Sequence, residues 1–176
     1  THPHHGADGN LVSTDKVFRL PIGYRWLDGF PSNAEGCAAT RGVVVTKKYC
    51  YALSINEREN FGKGASLYLH CRDAFNGLSL WKMNTEVTDN GWSINWDNEG
   101  ALAADDRRVY TAQKDKLIGV DGETGQIGFT CPTKYTPAKL LLIDSIVVAS
   151  CWAGAGTLPW SSFMPKGGGT VEAFDV

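Results

Sequence analysis

The 176-residue sequence predicts an all-β chain built from one repeated sheet unit, on three observations. An acidic residue, a short turn closed by glycine and an aromatic four positions later occur together in "RDAFNGLSLWK" and again in "VDGETGQIGFT", and the phrase opens a third time in "EAFDV". Twenty glycines favour frequent tight turns, and therefore short strands. No stretch sustains apolar residues at i, i+3, i+4 and i+7, so no helix of useful length is expected.

Asp73, Asp121 and Asp175 mark the repeat; 48 residues separate the first two and 54 the second pair. A β-branched run lies upstream of each: "RGVVVT" at 41–46, "RRVYTA" at 107–112 and "DSIVVAS" at 144–150. A second run, "SLYLHCRD", "DKLIGVD" or "GGTVEAFD", then leads into the aspartate. The unit reads strand, connection, strand, Asp-turn-Gly, strand, and its length matches one four-stranded blade of a β-propeller.

Each residue of the phrase has a physical task. The carboxylates of Asp73 and Asp121 accept from turn amides two residues on, fixing an Asx-type turn. Gly77 and Gly125 stand where a tight hairpin requires positive φ, and Asn76-Gly77 is a strong hairpin signal. Trp81 then lies on the returning strand, where its flat ring packs against a neighbouring blade; Phe129 holds that place in the second copy. The aspartates recur once per blade, so they stand apart around a ring and are structural.

The expected division follows. Residues 1–35 are the end of a preceding blade and a connection, 36–90 a blade with a long insertion, 91–135 a second blade, and 136–176 a third blade, incomplete at its C-terminus. The long connections, "SINERENFGKGA" at 54–65 and "WAGAGTLPWSSFMPKGGG" at 152–169, interrupt the unit at the same point and project from one end, where repeat proteins place recognition.

These phrases resemble the Asp-x-x-Thr-Gly-x-x-x-Trp tryptophan-docking repeats of the pyrroloquinoline-quinone (PQQ)-like propeller family. They are most similar to such repeats in large bacterial cell-envelope proteins, over most of residues 36–176. The resemblance implies a ring of seven or eight blades, of which three units form a section. It implies other blades of the same polypeptide or partner subunits as partners, and a periplasmic or cell-envelope location. The function it implies first is an interaction or scaffold module. The alternative is part of a PQQ-dependent oxidoreductase, with PQQ and calcium as cofactors and active-site residues outside this segment. The adjacent-cysteine pair of those dehydrogenases is missing, and neither their ion ligands nor their general base maps onto a residue here; no cofactor is assigned.

Charge and hydropathy narrow the classes. Acidic residues outnumber basic ones by 19 to 17 and no Lys/Arg run exceeds two, so the footprint of a nucleic-acid binder is missing. The longest apolar run, "KLLLIDSIVVAS", is broken by Asp144, and nothing approaches the ~20 residues of a spanning helix. Five cysteines without a C-x-x-C favour buried free thiols, with Cys131–Cys151 or Cys37–Cys50 as candidate disulfides.

Three clusters carry chemistry to be weighed. His2, His4 and His5, beside Asp8, supply ligands suited to a transition metal and suggest a third function, a metal- or haem-associated subunit; the competing reading is an exposed loop of the preceding blade. Trp152, Trp160 and Phe163 make a candidate contact platform for a sugar or peptide, or fold back over the blades; Trp92 and Trp96 fit inter-blade packing. His70 and Cys71 are neighbours on a strand, so they point to opposite faces and the histidine cannot activate the thiol.

Overall fold

The computed structural model describes residues 40–55, 65–89, 101–152 and 168–176, and all of their regular structure is β. The first sheet contains β1 (Thr40–Val45), β2 (Tyr49–Ile55), β3 (Ala65–Asp73) and β4 (Ser79–Asp89); the second contains β5 (Leu102–Ala104), β6 (Arg108–Gln113), β7 (Lys116–Asp121) and β8 (Ile127–Pro132). Both are antiparallel meanders in chain order. The third sheet runs β9 (Thr136–Ile143), β10 (Ile146–Trp152) and β11 (Gly169–Asp175).

Alternation along the strands turns apolar side chains towards the neighbouring sheet, and this is what lets the sheets stack. Val44, Tyr51, Leu53, Leu69 and Cys71 of the first sheet pack on Leu102, Ala104, Val109, Ile118 and Val120 of the second. Ala103, Tyr110 and Leu117, on the opposite face of the second sheet, pack on Leu140, Val147, Ala149 and Cys151 of the third. The middle sheet is therefore buried on both faces, as its β6 and β7 patterns require. Each fully buried Leu, Val or Ile contributes about 1.5–3 kcal/mol relative to exposure. Four-stranded meanders stacked face to face in chain order are the packing of propeller blades.

Register makes the sheets superimposable position by position. Asp73 stands opposite Tyr49, Asp121 opposite Arg108 and Asp175 opposite Ile146. One residue further on, the amide of Ala74 donates to Lys48 O (2.8 Å), that of Gly122 to Arg107 O (2.8 Å) and that of Val176 to Ser145 O (2.9 Å).

That equivalence corrects the strand alignment read from the sequence. "RGVVVT" is the first strand of its sheet, whereas "RRVYTA" and "DSIVVAS" are second strands; the true counterpart in the first sheet is β2. First and second strands are both apolar runs, so composition cannot tell them apart. "KLLLIDSIVVAS" is likewise a hairpin of two strands, with Asp144 at φ 53° in its turn. Second and third strands are joined by Lys114-Asp115 in the middle sheet and by residues 56–64 and 153–168 in the others. In every sheet the ends of the second and third strands that lead into these joins lie opposite the end that carries the repeat aspartate.

Candidate functional site

The seam between the first and second sheets is where the repeat phrase does its physical task. Asp121 Oδ1 accepts from the amides of Glu123 (3.1 Å) and Thr124 (2.8 Å) and from Thr124 Oγ1 (2.9 Å), while Gly125 N donates to Asp121 O (2.9 Å). The Thr124 amide and hydroxyl, foremost, hold the Asp121 carboxyl below the usual carboxylate range. The first sheet repeats the device: Asp73 Oδ1 accepts from Phe75 N (2.8 Å) and Asn76 N (2.9 Å). Gly77 and Gly125 take φ of 77° and 71°.

Trp81 reaches across the seam. Its Nε1–H donates to Gly122 O at 2.9 Å, and a Cβ on Gly125 would lie 2.8 Å from the indole Cγ, so the ring is seated flat on the glycine. Cys71 Sγ–H donates to the same carbonyl at 3.6 Å; burial, above all, pushes this thiol up to about 12 and keeps it protonated. Tyr51 lies 6.1 Å from the Trp81 ring and 5.7 Å from Tyr49, completing a box of three rings around the turn.

Gly122 is the key of this lock. A Cβ there would collide with Tyr51 Oη and come within 2.7 Å and 2.8 Å of the Tyr49 ring. Tyr51 is fully buried, and its hydroxyl finds no hydrogen-bond partner among the described residues. Burial, followed by the neighbouring Cys71 and Tyr49, drives its pKa upward.

At the second seam Phe129 takes the tryptophan's place and meets Tyr110 edge-on at 6.5 Å, against the aliphatic surface of the third sheet. Asp175 ends β11, and Phe174 and Val176 pack into the same cluster. Phe129 has no N–H to donate, so the indole-to-carbonyl hydrogen bond of the first seam has no counterpart at this position.

Two turn devices escaped the sequence reading. Thr46 Oγ1 accepts from Tyr49 N (3.1 Å), and Asp105 Oδ1 accepts from Arg107 N and Arg108 N (both 2.7 Å), so the first hairpin of each complete sheet is capped by a side chain. The signal was present as a Thr or Asp preceding a charged pair in "TKKY" and "DDRR". Lys47 Nζ then reaches Asp106 Oδ2 (3.2 Å) across the seam, an exposed pair worth little.

His70 has a partner that the sequence reading did not consider. Its Nε2 lies 2.6 Å from Ser54 Oγ, both side chains being buried. Burial first, then Lys82 and Arg72, lower its pKa to about 4, so the imidazole is neutral at pH 7. A serine against a neutral histidine is the contact of an activated nucleophile. Ser54, however, is fully buried among the described residues. Cys71 faces the seam instead, as alternation required.

Cys50, Cys71, Cys131 and Cys151 are free thiols. The other candidates fall elsewhere: Trp152 ends β10, while His2, His4, His5, Cys37, Trp92, Trp96, Trp160 and Phe163 lie outside the described residues. Among the described residues no three His, Cys, Asp or Glu side chains come together to hold a metal ion, and no helix is long and apolar enough to cross a membrane.

No protein-family model and no curated protein matches the chain. Among solved structures it is similar to the crystal structure of BamB from Moraxella catarrhalis, at 14% identity and a TM-score of 0.44. The match covers 64% of this chain, which spans 31% of the length of that one.

Proposed function

We propose that this chain is a section of a PQQ-like β-propeller of the bacterial cell envelope, acting as an interaction scaffold rather than as a catalyst. The observation that carries the reading is the keyed seam. Trp81 is hydrogen-bonded to Gly122 of the next sheet, and the same Asp-Gly turn is built twice, which rigidly orders successive sheets. A scaffold of this kind presents its variable connections from one end. The strand ends that lead into those connections lie opposite the Asp-Gly turns, and the sequence of the second connection contains Trp160 and Phe163, the proposed contact side chains.

The test is made on protein isolated from its native envelope. Replacing Trp160 and Phe163 with serine should release the protein from the assembly with which it co-sediments, while leaving its far-ultraviolet circular dichroism unchanged. Undisturbed co-sedimentation, together with quinone absorbance and dye-linked alcohol oxidation, would instead favour the oxidoreductase.

A further inference from the structure

The two Asp-Gly turns share a backbone but carry different side chains. Phe75, Leu78 and Leu80 stand two, five and seven residues past Asp73, and are 66%, 65% and 45% exposed. The same places after Asp121 hold Glu123, Gln126 and Gly128. Stacking of sheets does not account for the apolar set. The second turn sits inside a completed seam, under Trp81, and there Glu123, Gln126 and Gly128 remain exposed. A Cβ on Gly128 would meet nothing within 4 Å. A sheet stacked on the first turn in the same manner therefore leaves Phe75, Leu78 and Leu80 facing solvent, and their apolar character calls for another contact.

The backbone of this turn is ready for an apolar phase. Every amide from Asp73 to Leu78 donates within the protein: Asp73 N to Leu78 O (2.9 Å), Ala74 N to Lys48 O (2.8 Å) and Gly77 N to Asp73 O (2.9 Å). Phe75 N and Asn76 N donate to Asp73 Oδ1, and Leu78 N to Asn76 Oδ1 (2.9 Å). Amides bonded in this way leave water at little cost. Charge is arranged to match. Asp73 is the single acidic residue of 71–82, and its Oδ1 is taken by those two amides. Arg72 Nη1 donates to Gly77 O (2.9 Å), while Lys48 and Lys82 are exposed cations beside the turn. The apolar side chains stand on a turn at the end of a sheet, a protrusion rather than a groove. A protrusion of this kind enters a fluid surface directly, and an apolar tip above lysines is complementary to acyl chains beneath anionic headgroups.

We infer that the turn from Asp73 to Leu80 is a membrane-contact element: Phe75, Leu78 and Leu80 enter the interface of a bilayer with anionic headgroups, and Lys48 and Lys82 engage the headgroup phosphates. The second turn, with Glu123 and Gln126 at the matching places, has no such role. The inference rests on the cell-envelope reading and adds a lipid surface to it, at the end of the sheet opposite the strand ends that lead into residues 56–64.

The test uses the intact chain and protein-free vesicles of mixed phosphatidylcholine and phosphatidylglycerol. The chain should sediment with them, and the double substitution Phe75→Ser, Leu78→Ser should weaken that binding at least about tenfold while leaving the circular dichroism unchanged. Gln126→Ser, at the matching place of the second turn, should leave it unaltered. Lys48→Ala should weaken it about fivefold, and binding to phosphatidylcholine alone should be weaker than to the mixture. Phe75→Trp should add emission that bromine-labelled acyl chains quench, whereas Glu123→Trp should add emission that they do not. No sedimentation with the mixed vesicles, equal binding by the doubly substituted chain, or unquenched emission from Phe75→Trp would each overturn the inference. A protein rather than a bilayer against this turn would give the first of these results. Because lipid alone is the probe and Trp160 and Phe163 are unchanged, failure here leaves the co-sedimentation experiment on the native assembly standing.

Discussion

The two seams between sheets are made by the same sequence phrase, yet they hold differently. At the first, a tryptophan N–H is spent on a backbone carbonyl, and a glycine is required because two tyrosines occupy the space a side chain would need. At the second, a phenylalanine packs edge-on against a tyrosine and on aliphatic surface. The first seam is therefore specific as well as stable: few turns other than one with glycine at position 122 fit the Tyr49–Tyr51–Trp81 box. The second is tolerant, since apolar packing accepts substitutions of similar volume. A repeat can thus keep its backbone while changing how strictly it selects its neighbour.

The largest expected effect separates the seams at their glycines. Gly122→Ala should cost about 3 kcal/mol, because its Cβ meets ring atoms and a hydroxyl in a close-packed interior. Gly119→Ala, whose nearest contacts are 3.0–3.2 Å, should cost about 1 kcal/mol. Urea midpoints of the two variants measure the difference, and equal costs would erase the distinction drawn between the seams.

The pH dependence comes next and begins in the first sheet. His70 titrates at about 4 when folded, against an ordinary value near 6.5, so between these values the unfolded chain binds the proton and the folded one does not. Stability should be full above pH 6.5 and fall by about 2–3 kcal/mol as pH drops towards 4. Below the ordinary carboxylate range it should fall further as Asp121, whose folded pKa is lowered, becomes protonated. His70→Leu should flatten the upper part of this curve; an unchanged slope in that variant would assign it to other groups.

Trp81→Phe makes the first seam like the second. It removes one donor from Gly122 O, which keeps the Cys71 thiol, so a loss of about 1–2 kcal/mol is expected. Tyr51→Phe is the smallest change and tends the other way. Its hydroxyl is buried without a partner among the described residues, so deletion should be neutral or stabilising by a few tenths of a kcal/mol. A loss above about 1 kcal/mol would mean that the hydroxyl is in fact satisfied.

Much of this architecture was legible in the sequence because it is written in local chemistry. The Asp73 and Asp121 turns, the positive-φ glycines at 77 and 125 and the aromatic four residues on are all short-range requirements, and each has its expected geometry. The strand-by-strand alignment was not legible, because β1 and β2 are both apolar runs and only pairing tells them apart. The box around Gly122 was hidden for a different reason. Tyr51 and Gly122 are 71 residues apart, and nothing near Gly122 in the sequence announces that a side chain there is forbidden. The Ser54–His70 contact is diagonal across two strands whose pairing register is not written in their sequences, so it too appears only after folding.

The account stands or falls on contact between the first sheet and the turn of the second, which a double-mutant cycle on Tyr51 and Gly122 reads directly. If Tyr51 Oη occupies the space of the missing Cβ, Gly122→Ala should cost at least about 1 kcal/mol less in a Tyr51→Phe background than in the unmodified chain. Strict additivity of the two substitutions would contradict it, because residues that do not meet across a seam do not couple.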